Sequence, residues 1–276
     1  MEVDALLRSI SPSATKVDLS AGGNKVFRLR EETGETSIVK VFATQTRERR
    51  ERHALEALAA VAGVPKILSR GIDEGLAWIQ MTDGGNWDLA VLPRNPNIIR
   101  NAGRVLRGVH ESKANLTNLA NEIDNEQIGA HYNNTLARLE KFRRRLSLPA
   151  EILERASDAG PPMASPSRPA HTRPTPNQFL VTEEGTVSLV DWEWATVAPP
   201  EWDVSLASWQ FANVLGDEAG AAFLDGYGAV VTQARLKSWI AYHSAMLMLE
   251  AAESRDGRLH AMAPLVRALA DAVGYR

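Results

Sequence analysis

The chain has 276 residues, 44% hydrophobic and 24% charged, with a formal net charge of −3 at pH 7 and no cysteine. That balance offers no basic field for nucleic acid, and it excludes disulfides, thiolate zinc sites and cysteine nucleophiles. It agrees with a reducing, cytoplasmic setting. No run of about 18 apolar residues is present, and Asp4 and Asp18 interrupt the start, so neither a membrane span nor a signal peptide is expected.

Residues 1–15 read as a lead-in helix or tail. From Lys16 to Phe42 the pattern is strand-like. Val17 and Leu19 alternate before Ala21-Gly22-Gly23-Asn24, a second alternating run crosses Val26 to Arg30, and Ser37 to Phe42 forms a strand after the turn at Thr33-Gly34. Residues 45–61 carry Leu55, Leu58 and Val61 at helical spacing, stopped by Gly63-Val64-Pro65. Ile67 to Met81 reads as two strands around Asp73-Glu74-Gly75. The stretch Thr82 to Asn86 reads as a flexible joint. The boundary between a small lobe (1–83) and a large lobe (84–276) is placed there.

The second half is mainly helical. Residues 97–111 and 125–147 each present one apolar face. Segment 161–176 holds six of the fourteen prolines and cannot be a continuous helix. Two short strands follow, Gln178 to Thr182 and Thr186 to Val190, and helices fill the rest, including one around Ala241 to Ala252.

Phosphoryl transfer requires few parts. A glycine loop lets backbone N–H groups approach phosphate, a strand lysine is fixed by a helical glutamate, a loop supplies a base, and carboxylates hold magnesium. Candidates stand in that order: Gly22-Gly23, Lys40, Glu51, the loop from His171, and Asp191.

The ordered set Leu19 to Leu29, Ile38-Val39-Lys40, Arg50-Glu51, Val105 to His110, the His171 loop, Val190 to Ala195 and Pro199 to Val204 resembles the aminoglycoside phosphotransferase and choline kinase-like family. The resemblance covers roughly residues 15–230. It implies a bilobal, protein-kinase-like α+β fold that binds ATP and magnesium. It further implies that Lys40 contacts the α- and β-phosphates, paired with Glu51 or, one turn earlier, Glu48. Asp191 falls on the magnesium position. Asp203 falls on an acid that braces the catalytic loop, and an N-cap role would suit it equally.

The departures are as informative. Counting from His171, the family's catalytic Asp position is Arg173 and its Asn position is Gln178, with Asn177 one residue early. Arginine cannot accept a proton, and loss of a general base costs about 10²–10⁴ in rate. Three outcomes are open: Arg173 pairs with Asp191 in the metal's place, it binds phosphate directly, or the proline-rich segment shifts the register of the loop.

Four of the seven tryptophans, Trp192, Trp194, Trp202 and Trp209, bunch near this region, as core packing or as an exposed aromatic patch. The arginine runs at 47–52 and 143–145 read first as solvated helix faces. Thr175-Pro176, Phe179-Leu180-Val181 and Phe223 to Gly228 are also similar to phosphotransferase-like proteins of actinobacterial peptide natural-product clusters, such as thioamitide and lanthipeptide pathways. That likeness implies a precursor peptide as ligand and a tailoring enzyme as partner. The leading expectation is therefore a degenerate kinase homologue, or pseudokinase, that binds a peptide or a partner enzyme, with nucleotide binding weak or vestigial and ATP and magnesium as cofactors only if that binding is retained, otherwise none. The alternative is a working ATP-dependent phosphotransferase acting on a small-molecule hydroxyl or a peptide Ser/Thr. Aminoglycoside phosphorylation ranks third, because no strong acidic cluster is evident.

Overall fold

In a computed structural model of the chain, residues 3–20, 23–92, 94–117, 123–228, 231–254 and 262–275 are described. The N-terminal part runs α1 (Val3–Ile10), β1 (Thr15–Asp18), β2 (Lys25–Arg30), β3 (Thr36–Val41), α2 (Gln45–Ala57), β4 (Ile67–Asp73) and β5 (Leu76–Thr82). Its strands form one antiparallel sheet in the order β1-β2-β3-β5-β4. Strand alternation divides β3 between the two faces. Val39 and Val41 pack with Leu6 and Leu7 of α1, while Lys40 points to the side of α2. Helix α2 ends at Ala57 rather than running to 61. Leu58 caps it, and the chain then turns through Gly63 at φ +79.

The rest is mainly helical: β6 (Trp87–Asp88), α3 (Pro96–Glu111), α4 (Asn125–Phe142), α5 (Ala150–Ala159), β7 (Arg168–Ala170), β8 (Phe179–Val181), β9 (Val187–Leu189), β10 (Thr196–Ala198), α6 (Pro200–Leu215), α7 (Asp217–Tyr227), α8 (Gln233–Glu253) and α9 (Met262–Ala272). The proline-rich approach is ordered and supplies β7, which pairs with β10. Helix α4 stops at Phe142, short of the expected 147, because the chain bends back and Leu148 N–H donates to the Arg143 carbonyl at 3.0 Å.

Segment 82–86 is pinned, which corrects its reading as a flexible joint. The Arg28 guanidinium grips Asp83 at 2.6 Å and donates to the Gly85 carbonyl at 2.6 Å, and Asn86 N–H donates to Val181 O at 3.1 Å. One apolar core runs through both halves, joining Phe42, Leu55, Leu58 and Ile79 to Leu106, Phe179, Leu189 and Trp192. Each such side chain contributes about 1.5–3 kcal/mol by leaving water. A second cluster, around Tyr132, Trp239 and Met248, unites α4, α5, α8 and α9. No helix among the described residues is long and apolar enough to cross a membrane.

Burial holds the imidazole of His243, on α8, down to about 4, while its Nε2–H donates to the Trp202 carbonyl at 3.0 Å. The unfolded chain takes up that proton near 6.5 and the folded chain resists until about 4. Stability is therefore lost as pH falls through that window, by about 3 kcal/mol in the limit. Urea titrations at pH 7 and pH 5 should show the fall, and it should be shallower in His243→Gln, which keeps an N–H donor for Trp202.

Candidate active site

Lys40 stands at the centre of a charge cluster where the two halves meet. Its Nζ donates to Glu51 Oε2 of α2 and to Asp191 Oδ1, each at 2.6 Å. Glu48 pairs instead with Arg52 at 2.9 Å, so Glu51 is the helical partner. Burial works against the ammonium charge, but the two carboxylates outweigh it and hold Lys40 above its ordinary range. Burial also raises the carboxyl of Glu51, which is 1% exposed. At Asp191 burial pushes up as well, but the charge and hydrogen bond of Lys40 prevail and the carboxyl lies below its usual range.

Asp191 follows β9 in a left-handed conformation, φ 70. Gln178 Nε2 approaches its Oδ2 at 3.4 Å, whereas Asn177 is exposed and lies off the cluster. Glu193, to which sequence reasoning gave no role, joins the group. One oxygen each of Glu51, Asp191 and Glu193 lies within 4.8 Å of the others. Hard oxygen donors of this kind suit magnesium. Asp191 and Glu193 would hold the ion, which would supply charge neutralisation at nucleotide phosphates, while Gln178 turns its amide N–H toward Asp191.

Just past the glycines, Asn24 reaches this cluster. Asn24 Nδ2–H donates to Glu193 at 2.9 Å, and its Oδ1 accepts the Ala43 N–H at 3.1 Å. Gly23 passes beneath Arg47, whose guanidinium a Cβ would meet at 3.3 Å. Gly22 lies outside the described residues.

The loop from His171 is fixed from behind. Asp203, fully buried in the first turn of α6, accepts the N–H groups of His171 at 2.7 Å and Thr172 at 2.8 Å. It also accepts from His110 Nε2 at 3.1 Å, and His110 Nδ1 meets the Tyr227 hydroxyl at 2.7 Å. Asp203 thus braces the loop, and it makes no capping bond within its own helix. His171 Nε2–H donates to Val190 O at 2.8 Å, leaving Nδ1 to accept the Arg173 N–H at 3.3 Å. Burial lowers the imidazole of His171, in keeping with that uncharged arrangement.

Arg173 does not pair with Asp191. Its guanidinium turns away, 5.2 Å over the ring of Trp194 and 3.8 Å from Glu250 of α8. Lys40 takes the place beside Asp191 that Arg173 was one candidate to fill.

The family model of the APH phosphotransferase enzyme family matches residues 18–239. The chain belongs to this family. No curated protein matches it. Among solved structures, it is similar to aminoglycoside phosphotransferase APH(4)-Ia in a ternary complex with AMP-PNP and hygromycin B, at 15% identity and TM-score 0.70, covering 100% of this chain and 98% of that one. It is similar to choline kinase LicA from Streptococcus pneumoniae at 17% identity and TM-score 0.66, covering 98% of each. Macrolide 2'-phosphotransferase MphH from Brachybacterium faecium gives 15% and 0.64, covering 96% of this chain and 98% of that one. At such identities the likeness establishes the bilobal, kinase-like α+β fold.

Beside the loop this APH-family chain has an open cavity of about 660 Å³, walled by Trp194, Trp202, Leu206 and Met246 and edged by Arg50, Arg173 and Glu250. Trp192, Trp202 and Trp209 are core residues at 0%, 8% and 8% exposure, while Trp194 is 39% exposed and faces this space. Arg50 also leaves its supposed solvated face and lies 5.4 Å over Trp194.

Proposed function

We propose that this phosphotransferase homologue retains the apparatus for ATP and magnesium but has lost or reduced the transfer step, and that it acts by binding a peptide or partner enzyme in peptide natural-product tailoring. The observation that carries the reading is the direction of Arg173. It stands at the position of the base, cannot accept a proton, and is engaged by Trp194 and Glu250 outside the charge cluster. The open, aromatic-walled cavity beside the loop supports a ligand with apolar groups. A second reading, a working phosphotransferase, is favoured by the complete Lys40–Glu51–Asp191 set.

Calorimetric titration with ATP–Mg, together with a γ-phosphate transfer assay, separates the two. The proposal expects binding without appreciable transfer. Turnover in the ordinary kinase range of about 1–100 s⁻¹ would overturn it. In Asp191→Asn, affinity for ATP–Mg should fall about tenfold, or ~1.4 kcal/mol, while the Lys40–Glu51 pair persists. Equal affinity in the variant would remove Asp191 from the metal position.

A further inference from the structure

The charges around the cavity run against a polycationic ligand. Among its lining residues two are arginines, Arg50 and Arg173, and one is an acid, Glu250. Both guanidiniums lie over the same indole, at 5.4 and 5.2 Å from the ring of Trp194. Stacking on an aromatic face orients such groups without neutralising them. Glu250 opposes Arg173 only at 3.8 Å, with the side chains 54% and 57% exposed, a separation and exposure at which ion pairs are weak. Arg50 forms no ion pair among the described residues, and its Nε is closed off from water with no hydrogen-bond partner.

The two arginines come from different halves of the chain, one from α2 and one from the loop at the base position. They flank a cavity whose walls are otherwise largely apolar, formed by Trp194, Trp202, Leu206 and Met246. We infer that this cavity takes an oxyanion carried on an apolar body. A carboxylate or phosphate lies between Arg50 and Arg173, and the apolar part rests on Trp194 and Met246. The inference rests on the functional reading above only in treating this cavity as the place where the ligand meets the loop. Planar guanidinium forks match both oxyanions, whereas an aminoglycoside would bring its ammonium groups against two like charges.

The test is calorimetric titration of the full chain, without nucleotide, with four probes of one shape: naphthoate, naphthyl phosphate, naphthamide and naphthylmethylamine. At least one anion should bind about tenfold or more tightly than the amide and the amine, the scale of one charge-assisted contact. The ratio between carboxylate and phosphate identifies the preferred anion. Arg173→Gln and Arg50→Gln should each remove most of the preference. Glu250→Gln, which deletes the opposing charge and leaves both arginines, should tighten the anion about two- to threefold. The inference is overturned if the amide binds as well as both anions, if the amine is preferred, or if the anion preference survives both arginine substitutions.

Transfer is read separately on the same samples. An anion-selective cavity in a protein that transfers phosphate briskly overturns the loss of transfer and leaves the cavity assignment standing. A cavity indifferent to anions, in a protein that binds ATP without transfer, overturns the assignment alone.

Discussion

Arg173→Asp should raise γ-phosphate transfer, to water or to an added hydroxyl acceptor, by about 10²–10⁴-fold, the usual worth of a general base. The backbone at this position is held independently of its side chain. Asp203 fixes the N–H groups of His171 and Thr172, and Trp202 Nε1–H donates to Thr172 O at 3.1 Å. A carboxylate placed there inherits that support. Reversing the charge should not disturb Asp191, whose ionisation is governed by burial and Lys40, with Arg173 a smaller influence. Arg173→Ala separates the two effects of the change, because it removes the cation without supplying a base, and it should stay near the native rate. The readout is release of labelled γ-phosphate at saturating ATP–Mg. An unchanged rate in Arg173→Asp, with nucleotide bound, would place the defect elsewhere than the missing base. The same substitution should abolish anion preference in the cavity.

The largest stability effect is expected at Gly226. Helices α3 and α7 approach backbone to backbone. A Cβ on Gly226 would lie 2.0 Å from Arg100 O, and one on Gly103 would lie 2.3 Å from Phe223 O. Alanine is the better helix former by about 1 kcal/mol, yet neither carbonyl can rotate aside as a side chain could, so the helices must part. Gly226→Ala should cost about 3 kcal/mol or more, a fall in Tm of about 6–12 °C for a chain of this size. Thermal melts followed by circular dichroism would measure it, and a rise in Tm would contradict the close crossing. The damage should extend to the site, because the neighbouring Tyr227 holds His110 against Asp203. Loosening that relay should cost loop order even at temperatures where the fold survives.

Much of this was legible in the sequence because it depends on local pattern. Alternation around Lys40, the helical spacing of Leu55 and Leu58, and the density of proline before His171 each constrain the nearby backbone. The direction of long side chains did not show. Arg173 turns toward Glu250, and Arg50 toward Trp194, through contacts made by residues remote in the chain. No local spacing signals such encounters. Glu193 lies inside the Val190 to Ala195 motif, but its role depends on Asn24 and Glu51 being folded against it. The bend after Phe142 was hidden because Leu146 continues the apolar spacing while the backbone has already left the helix.

The hairpin of β8 and β9 bonds on one side within its own lobe, where Val181 accepts from Asn86, and on the other to the small lobe, where Leu189 N–H donates to Gly63 O at 2.8 Å. Asp191 stands two residues beyond Leu189, so the carboxylate that Lys40 holds sits next to the backbone bond that joins the lobes.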